Sequence, residues 1–240
     1  MKAPVSNLPV LGSGAMFDTI ARRYDFVNRV LSLGLDIGWR RRTVRALHLG
    51  ERPRVLDVAT GTGDLAIEIA RQRPHATVIG LDPSQNMLAI AAGKLVRREL
   101  AERVTLVRGE AEQLPFQACE MDAATIAFGI RNVPDRLAGL RELARVVRPG
   151  GRVAVLELGE PDGKLLGRAA RFHCRHVVPR LGALLAGARE YAYLQKSIAA
   201  FPPAREFAEL MRRAGLHVIE VVPLTFGACT LFVATPAEDA

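Results

Sequence analysis

Val55-Leu-Asp-Val-Ala-Thr-Gly-Thr-Gly-Asp64 joins a short apolar run to a glycine-rich turn and then to the start of a helical period. The apolar run reads as a buried strand, and Asp64 to Arg73 reads as a helix. Glycines in such a turn permit tight backbone geometry and close approach to a ligand. The unsatisfied N–H groups at the helix start favour an anionic group. Val78-Ile-Gly-Leu-Asp82 is a second strand, ending on a carboxylate 19 residues after Gly63. A carboxylate there can accept hydrogen bonds from both hydroxyls of a ribose. On this motif alone, Gly61-Thr-Gly63-Asp-Leu-Ala66 also fits the GxGxxA pattern of nicotinamide enzymes, so a nicotinamide dinucleotide stands beside other ribose-bearing cofactors at this point.

The alternation continues outward. Ser84 is placed to cap a helix running through Lys94, Val104 to Val107 is a third strand, and Ala123 to Phe128 a fourth. Leu137, Leu140, Leu143, Ala144 and Val147 repeat at helical spacing until Arg148-Pro-Gly-Gly151, and Val153 to Leu156 is a fifth strand. Phe207, Leu210, Met211 and Ala214 mark an amphipathic helix ended by Gly215. Val218–Val222 and Cys229–Val233 then read as an antiparallel strand pair around Pro223 and Gly227. The expected fold is therefore α/β, a seven-stranded, mostly parallel sheet with helices on both faces and a C-terminal antiparallel pair. Residues 1–15 are expected to be loose, and 16–240 to form one domain. That domain would have N-terminal helices over 16–49 and an inserted helical lid over about 162–200.

The 240 residues carry a net charge of +8, and 49% are hydrophobic, enough for a large core without disulfides. Cys119, Cys174 and Cys229 are widely spaced and form no CxxC pair, which argues against a metal clip and for reduced thiols in a cytoplasmic chain. No run of 18 apolar residues is present, so no membrane span is expected. The basic runs lack interleaved aromatics and any RNA-binding signature, so the excess charge reads as solvated helix faces and no nucleic-acid partner is expected.

Later features separate the two cofactor readings. Glu110-Ala111 follows the third strand and leads to Leu114-Pro-Phe116; Asp122 introduces the fourth strand, and Arg148-Pro-Gly-Gly151 precedes the fifth. Together with the C-terminal strand pair these resemble the class I, Rossmann-like S-adenosylmethionine methyltransferases, which implies strand order 3-2-1-4-5-7-6. The resemblance places Gly61, Thr62 and Gly63 along the methionine half of the cofactor, Asp82 on the ribose, and Glu110 and Ala111 against the adenine. Asp57 would either contact the cofactor or brace the loop. One departure stands out. The family's first loop glycine is Ala59 here, and its methyl group is expected to fit only with φ below zero.

Four further stretches narrow the resemblance. They are Phe17-Asp-x-Ile-Ala-x-x-Tyr24-Asp25-x-x-Asn28, continuing to Leu31–Leu35 and Trp39-Arg40; Phe128-Gly-Ile-Arg-Asn-Val133; Phe172-His-x-x-His176 through Gly182; and Tyr191-x-Tyr-Leu-x-x-Ser-Ile-x-x-Phe-Pro202. In this order they resemble the demethylmenaquinone and ubiquinone-pathway C-methyltransferases. Ala127 stands where many relatives carry Ser, and the C-terminus lacks a Gly-Lys that relatives often show.

The implied reaction moves a methyl group from S-adenosylmethionine to a ring carbon of a prenylated quinol. Demethylmenaquinol is the favoured acceptor, with the equivalent benzoquinol or another small molecule as the alternative. Only the reduced ring is nucleophilic at carbon. A phenol has a pKa of about 10, so ionising it at pH 7 costs roughly 4 kcal/mol, which a base or an oxyanion-stabilising cation can offset. The sulfonium is already activated, so no metal is required. Arg131 is the candidate oxyanion stabiliser, with a structural ion pair as its alternative role; Asn132 would position a quinol oxygen. His176 is the preferred base, with helix packing as its alternative, and Asp25 or Tyr24 stands in reserve. Tyr191 and Tyr193 read as lid packing. Residues 164–189 are apolar with Arg168, Arg171 and Arg175 at helical spacing, which suits either a lid peripheral to the inner face of the membrane or an ordinary helix over the sheet edge. An oligomer is compatible with the sequence. Rival readings are a nicotinamide oxidoreductase, an RNA or protein methyltransferase, and a non-catalytic scaffold of quinone synthesis; the last is opposed by intact Gly61, Asp82 and Arg131.

Overall fold

The computed structural model describes residues 29, 32–159 and 188–237. The expected loose segment 1–15, the helix from Met16 and most of the expected lid therefore lie outside the described residues.

Helix α1, Leu35–Ala46, leads into strand β1, Arg54–Val58. Helix α2, Asp64–Gln72, carries the chain to β2, Thr77–Asp82, and helix α3, Gln85–Arg97, to β3, Val104–Arg108. Strand β4, Met121–Ala127, is followed by a 3-10 turn, Ile130–Asn132, then α4, Arg136–Val146, and β5, Val147–Leu158. Helices α5, Ala188–Ala199, and α6, Ala204–Arg213, precede β6, Leu216–Leu224, and β7, Cys229–Pro236. Local signals account for the boundaries. The Ser84 hydroxyl accepts from the Met87 N–H at 3.1 Å to start α3, and the Asp135 carboxylate caps α4 through the Ala138 N–H at 3.0 Å.

The seven strands lie in the order β3-β2-β1-β4-β5-β7-β6, as the resemblance implied. β1 to β5 pair in parallel; β7 pairs antiparallel to both β5 and β6. Successive residues of β1 and β2 face opposite sides. Val55 and Val78 pack with Leu65, Ile69 and Leu95 of α2 and α3, while Leu56 and Ile79 pack with Leu140, Leu143, Phe207 and Met211 of α4 and α6. Near-continuous apolar runs in β1, β2 and β4 follow from burial on both faces.

Most strand boundaries shift by a few residues from the sequence expectation, the fourth strand ending at Ala127 rather than Phe128, and two of the shifts have a clear physical cause. Strand β5 starts at Val147, opposite Met121, and pairing resumes at Arg152 opposite Ala123, so Arg148-Pro-Gly-Gly151 bulges within a strand as well as ending a helix. Strand β6 runs through Pro223, which pairs with Thr230. Proline is tolerated there because β6 is the sheet edge, where an N–H is dispensable on the open side. The sheet order reverses between β1 and β4, which opens a crevice at their C-terminal ends.

Candidate active site

The glycine-rich turn lies at that crevice. The Thr60 N–H donates to the Leu81 carbonyl at 3.0 Å and the Gly63 N–H to the Thr60 carbonyl at 2.9 Å, which folds the turn back onto β2. This path puts Ala59 at φ 51, contrary to the expectation of a negative angle. Room for its methyl comes from Gly129, where a Cβ would lie 2.5 Å from the Ala59 Cβ. Gly61 (φ 57) and Gly63 (φ 82) are also left-handed. A Cβ on Gly61 would meet nothing within 4 Å, so this glycine borders open space. A Cβ on Gly63 would lie 3.1 Å from that of Ala91, so there the glycine permits α2 and α3 to approach.

The buried Asp57 carboxylate accepts from the Thr60 and Thr125 hydroxyls, both at 2.7 Å. Burial pushes its pKa up to about 6 against those two hydrogen bonds and the field of Arg40. Asp57 thus braces the turn against β4. Asp82 is buried at the end of β2; its Oδ2 accepts from the Gly61 N–H at 2.8 Å and its Oδ1 from the Ser84 N–H at 2.9 Å. Lys94 reaches from α3 to the Thr62 hydroxyl at 2.8 Å and Asp64 at 2.7 Å. Burial raises the Asp64 carboxyl, but Lys94, Arg40 and Arg29 outweigh it and hold the group below its ordinary range. After β3, Glu110 is exposed and bridges Gln113, whereas Ala111 is buried in the core on the α4 side.

Across the crevice, Phe128 turns at φ 58 as it leaves β4. Its ring carries the Arg40 guanidinium at 5.3 Å and meets Trp39 at 6.2 Å, tying α1 to this turn. In the 3-10 turn, Arg131 is buried, and its Nη1 donates to Glu157 Oε1 at 2.7 Å and to the Phe128 carbonyl at 2.5 Å. The Arg131 backbone N–H adds a bond to Glu157 Oε2 at 3.2 Å. Asn132 accepts through Oδ1 from the Tyr193 hydroxyl of α5 at 2.9 Å. Burial raises the Tyr193 phenol above its ordinary value against the opposing fields of Arg131 and Arg136. Arg136 also donates to the Arg131 carbonyl at 3.0 Å and sits 5.6 Å from the centre of the Phe201 ring.

The structure therefore brings Asp57, Gly61, Thr62, Gly63, Asp82, Arg131 and Asn132 to one edge of the sheet. Tyr24, Asp25 and His176 lie outside the described residues. Glu157 joins the arrangement without having been expected there, and Tyr193, expected as lid packing, hydrogen-bonds to Asn132. Their signals are a lone carboxylate near the end of the apolar run Val153-Ala-Val-Leu-Glu157, and a tyrosine in the Tyr191-x-Tyr-Leu stretch near the end of the expected lid.

Residues 12–236 match the model of the ubiE/COQ5 methyltransferase family. The chain is 46% identical over 217 residues to the ubiquinone/menaquinone biosynthesis C-methyltransferase UbiE of Syntrophotalea carbinolica, covering 90% of this chain and 91% of that one. It is 43% identical over 219 residues to the demethylmenaquinone methyltransferase of Deinococcus radiodurans, covering 91% and 90%. Among solved structures, a putative S-adenosyl-L-methionine-dependent methyltransferase from Methanococcus maripaludis superimposes with a TM-score of 0.70, at 15% identity and over 98% of each chain, which is a likeness of fold.

Proposed function

Because this chain belongs to the ubiE/COQ5 methyltransferase family, we propose that it methylates a ring carbon of a prenylated quinol with S-adenosylmethionine, converting demethylmenaquinol to menaquinol. One observation carries the reading. The cofactor turn and the Phe-Gly-Ile-Arg-Asn turn are in contact, Ala59 fitting where Gly129 has no side chain, so donor and acceptor sides share one crevice. The names of the relatives support the quinone acceptor, and that from Deinococcus radiodurans supports the naphthoquinol.

The residues present fit the cofactor. Gly61 borders open space beside the Asp82 carboxylate, a pairing suited to a nucleoside whose ribose needs a double acceptor. Gly61, Thr62 and Gly63 would line the methionine half, Asp82 would hold the ribose, and Glu110 with Ala111 would face the adenine. Asp57 would act through the turn that it braces. Bound there, S-adenosylmethionine supplies an electrophilic methyl group on a sulfonium.

The chain's own task is to make the ring carbon nucleophilic. A base takes the phenolic proton; His176 is proposed for it, with Asp25 or Tyr24 in reserve. Asn132 would stabilise the resulting oxyanion by a hydrogen bond, and Arg131 by its charge, which its buried pairing with Glu157 offsets in part. The ring carbon then gains the methyl group as the bond from that group to sulfur breaks, adenosylhomocysteine leaves, and the same carbon sheds its hydrogen while the oxygen is reprotonated, which restores the aromatic ring. Glu157 holds the Arg131 turn in place. The proposal includes one domain over 16–240, with 162–200 as a lid whose segment 164–189 touches the bilayer. Flotation with anionic liposomes tests that contact, and no co-migration would remove it. Among the described residues no helix is long and apolar enough to cross a membrane.

The direct experiment incubates the protein with methyl-labelled cofactor and both reduced quinone classes. Label on the naphthoquinol ring carbon is expected. Label on the benzoquinol alone would move the enzyme to the equivalent ubiquinone step, and label on neither would overturn the proposal.

A further inference from the structure

A carboxamide is directional, with one end accepting and the other donating, and a half-turn about its last bond exchanges the two. Asn132 stands on the acceptor side of the crevice, so which end it offers to a ring oxygen matters. Its Oδ1 is taken by the Tyr193 hydroxyl at 2.9 Å. That hydroxyl lies in the field of Arg131 and Arg136, whose guanidinium groups can only donate hydrogen bonds, and its own proton goes to the Asn132 Oδ1. Helix α5 is held against the turn beyond this bond, because Phe201, just after the helix, packs on Arg136, which itself donates to the Arg131 carbonyl.

We infer that Tyr193 is a positioning residue: by donating to Oδ1 it locks the Asn132 amide with its NH2 group presented to the acceptor ring, so that Asn132 donates to a phenolate oxygen rather than repelling it. The inference rests on the proposed quinol methylation and adds to it a residue outside the 128–133 turn. The energetic logic is specific. A neutral quinol hydroxyl can donate or accept, so it tolerates either amide orientation. A phenolate oxygen only accepts, and a reversed amide would turn lone pairs toward developing charge. The lock therefore acts on the charged state of the acceptor, and its loss lowers kcat more than it raises KM. A phenol titrates near pH 10 of its own accord, and burial only raises this one further, so the donor persists through the neutral range.

The test is a double-mutant cycle with Tyr193→Phe and Asn132→Ala, measured with reduced demethylmenaquinone and S-adenosylmethionine. Tyr193→Phe keeps the ring and removes one oxygen. It is expected to lower kcat about tenfold, the scale of one hydrogen bond lost at the transition state, with KM for the quinol and the cofactor dissociation constant within about twofold. In the Asn132→Ala background the same substitution is expected to cost nothing further. An equal loss in both backgrounds, or an effect confined to KM, would overturn the inference. A second readout needs no turnover. The side-chain amide resonances of Asn132, assigned by 15N labelling, should show two distinct protons in the wild type and shift on Tyr193→Phe. Unchanged resonances would overturn the lock even if activity fell. Absence of methyl transfer by the wild type to either quinol would instead defeat the functional reading while the amide spectrum still reported on the lock.

Discussion

At Ala59 a residue with a side chain holds a left-handed angle of 51°, and its neighbour across the crevice, Gly129, has none. The two positions are a complementary pair. Gly129 itself has φ −114, which any residue adopts, so its requirement is space and not conformation. Gly129→Ala should therefore destabilise the protein by about 1–3 kcal/mol, the scale of overpacking, and weaken cofactor binding through the displaced turn. Ala59→Gly removes both the opposing methyl and the left-handed strain, so in the double variant chemical denaturation should show most of the loss recovered. No recovery would mean that Gly129 serves something other than Ala59. Asp57 allows a second prediction. Its folded pKa of about 6 stands above the ordinary carboxylate value, so the folded state binds a proton there that the unfolded state releases. Its contribution is fully present below about pH 4 and is lost as pH rises through about 6. Asp57→Asn should flatten that part of the stability curve, narrowing the wild-type loss between pH 4 and pH 7 by on the order of 1–3 kcal/mol. Parallel curves for the two proteins would refute the assignment.

Elements carry the next level of control. Glu157 is the penultimate residue of strand β5, and its carboxylate holds both the side chain and the backbone N–H of Arg131, so one strand end fixes the geometry of the 130–132 turn. Removing one partner of a buried pair leaves an uncompensated charge, at a cost of about 3–5 kcal/mol. Glu157→Gln should show a loss of that order in denaturant, whereas the paired change Arg131→Met with Glu157→Leu should regain most of it. Turnover separates the roles of the arginine, since the paired variant should fold yet transfer methyl groups poorly; wild-type turnover would reduce Arg131 to structural support. The elements themselves were legible because their signals are local. Glycine at 61 and 63, Ser84 at a helix start and the helical spacing of Leu140 and Leu143 each act within a few residues. The Arg131–Glu157 pair spans 26 positions and the Tyr193–Asn132 bond spans 61, so both exist only once the sheet has assembled. The positive φ of Ala59 was misjudged for the same reason, because its relief lies 70 positions away at Gly129.

For the molecule as a whole, the sheet order matters more than any single contact. Reversal between β1 and β4 brings a turn from the first half, residues 59–64, beside one from the second, residues 128–132. Each turn is braced by its own buried carboxylate, Asp57 in one and Glu157 in the other, and Thr125 of β4 donates to Asp57 across the divide. A ligand held by the first turn should therefore stabilise the assembled sheet and not merely a loop. Adenosylhomocysteine at about 100 times its dissociation constant adds about 2.7 kcal/mol, and for a chain of this length that corresponds to a rise in Tm of about 5–10 °C. Asp82→Asn retains one acceptor oxygen but loses the second, so its own Tm should fall slightly as the bond to Gly61 or Ser84 weakens. The informative quantity is the increment caused by the ligand, which should drop below about 2 °C in this variant at the same ligand concentration. An increment equal to that of the wild type would remove Asp82 from the ribose. An increment absent from the wild type itself would remove the nucleoside from the crevice.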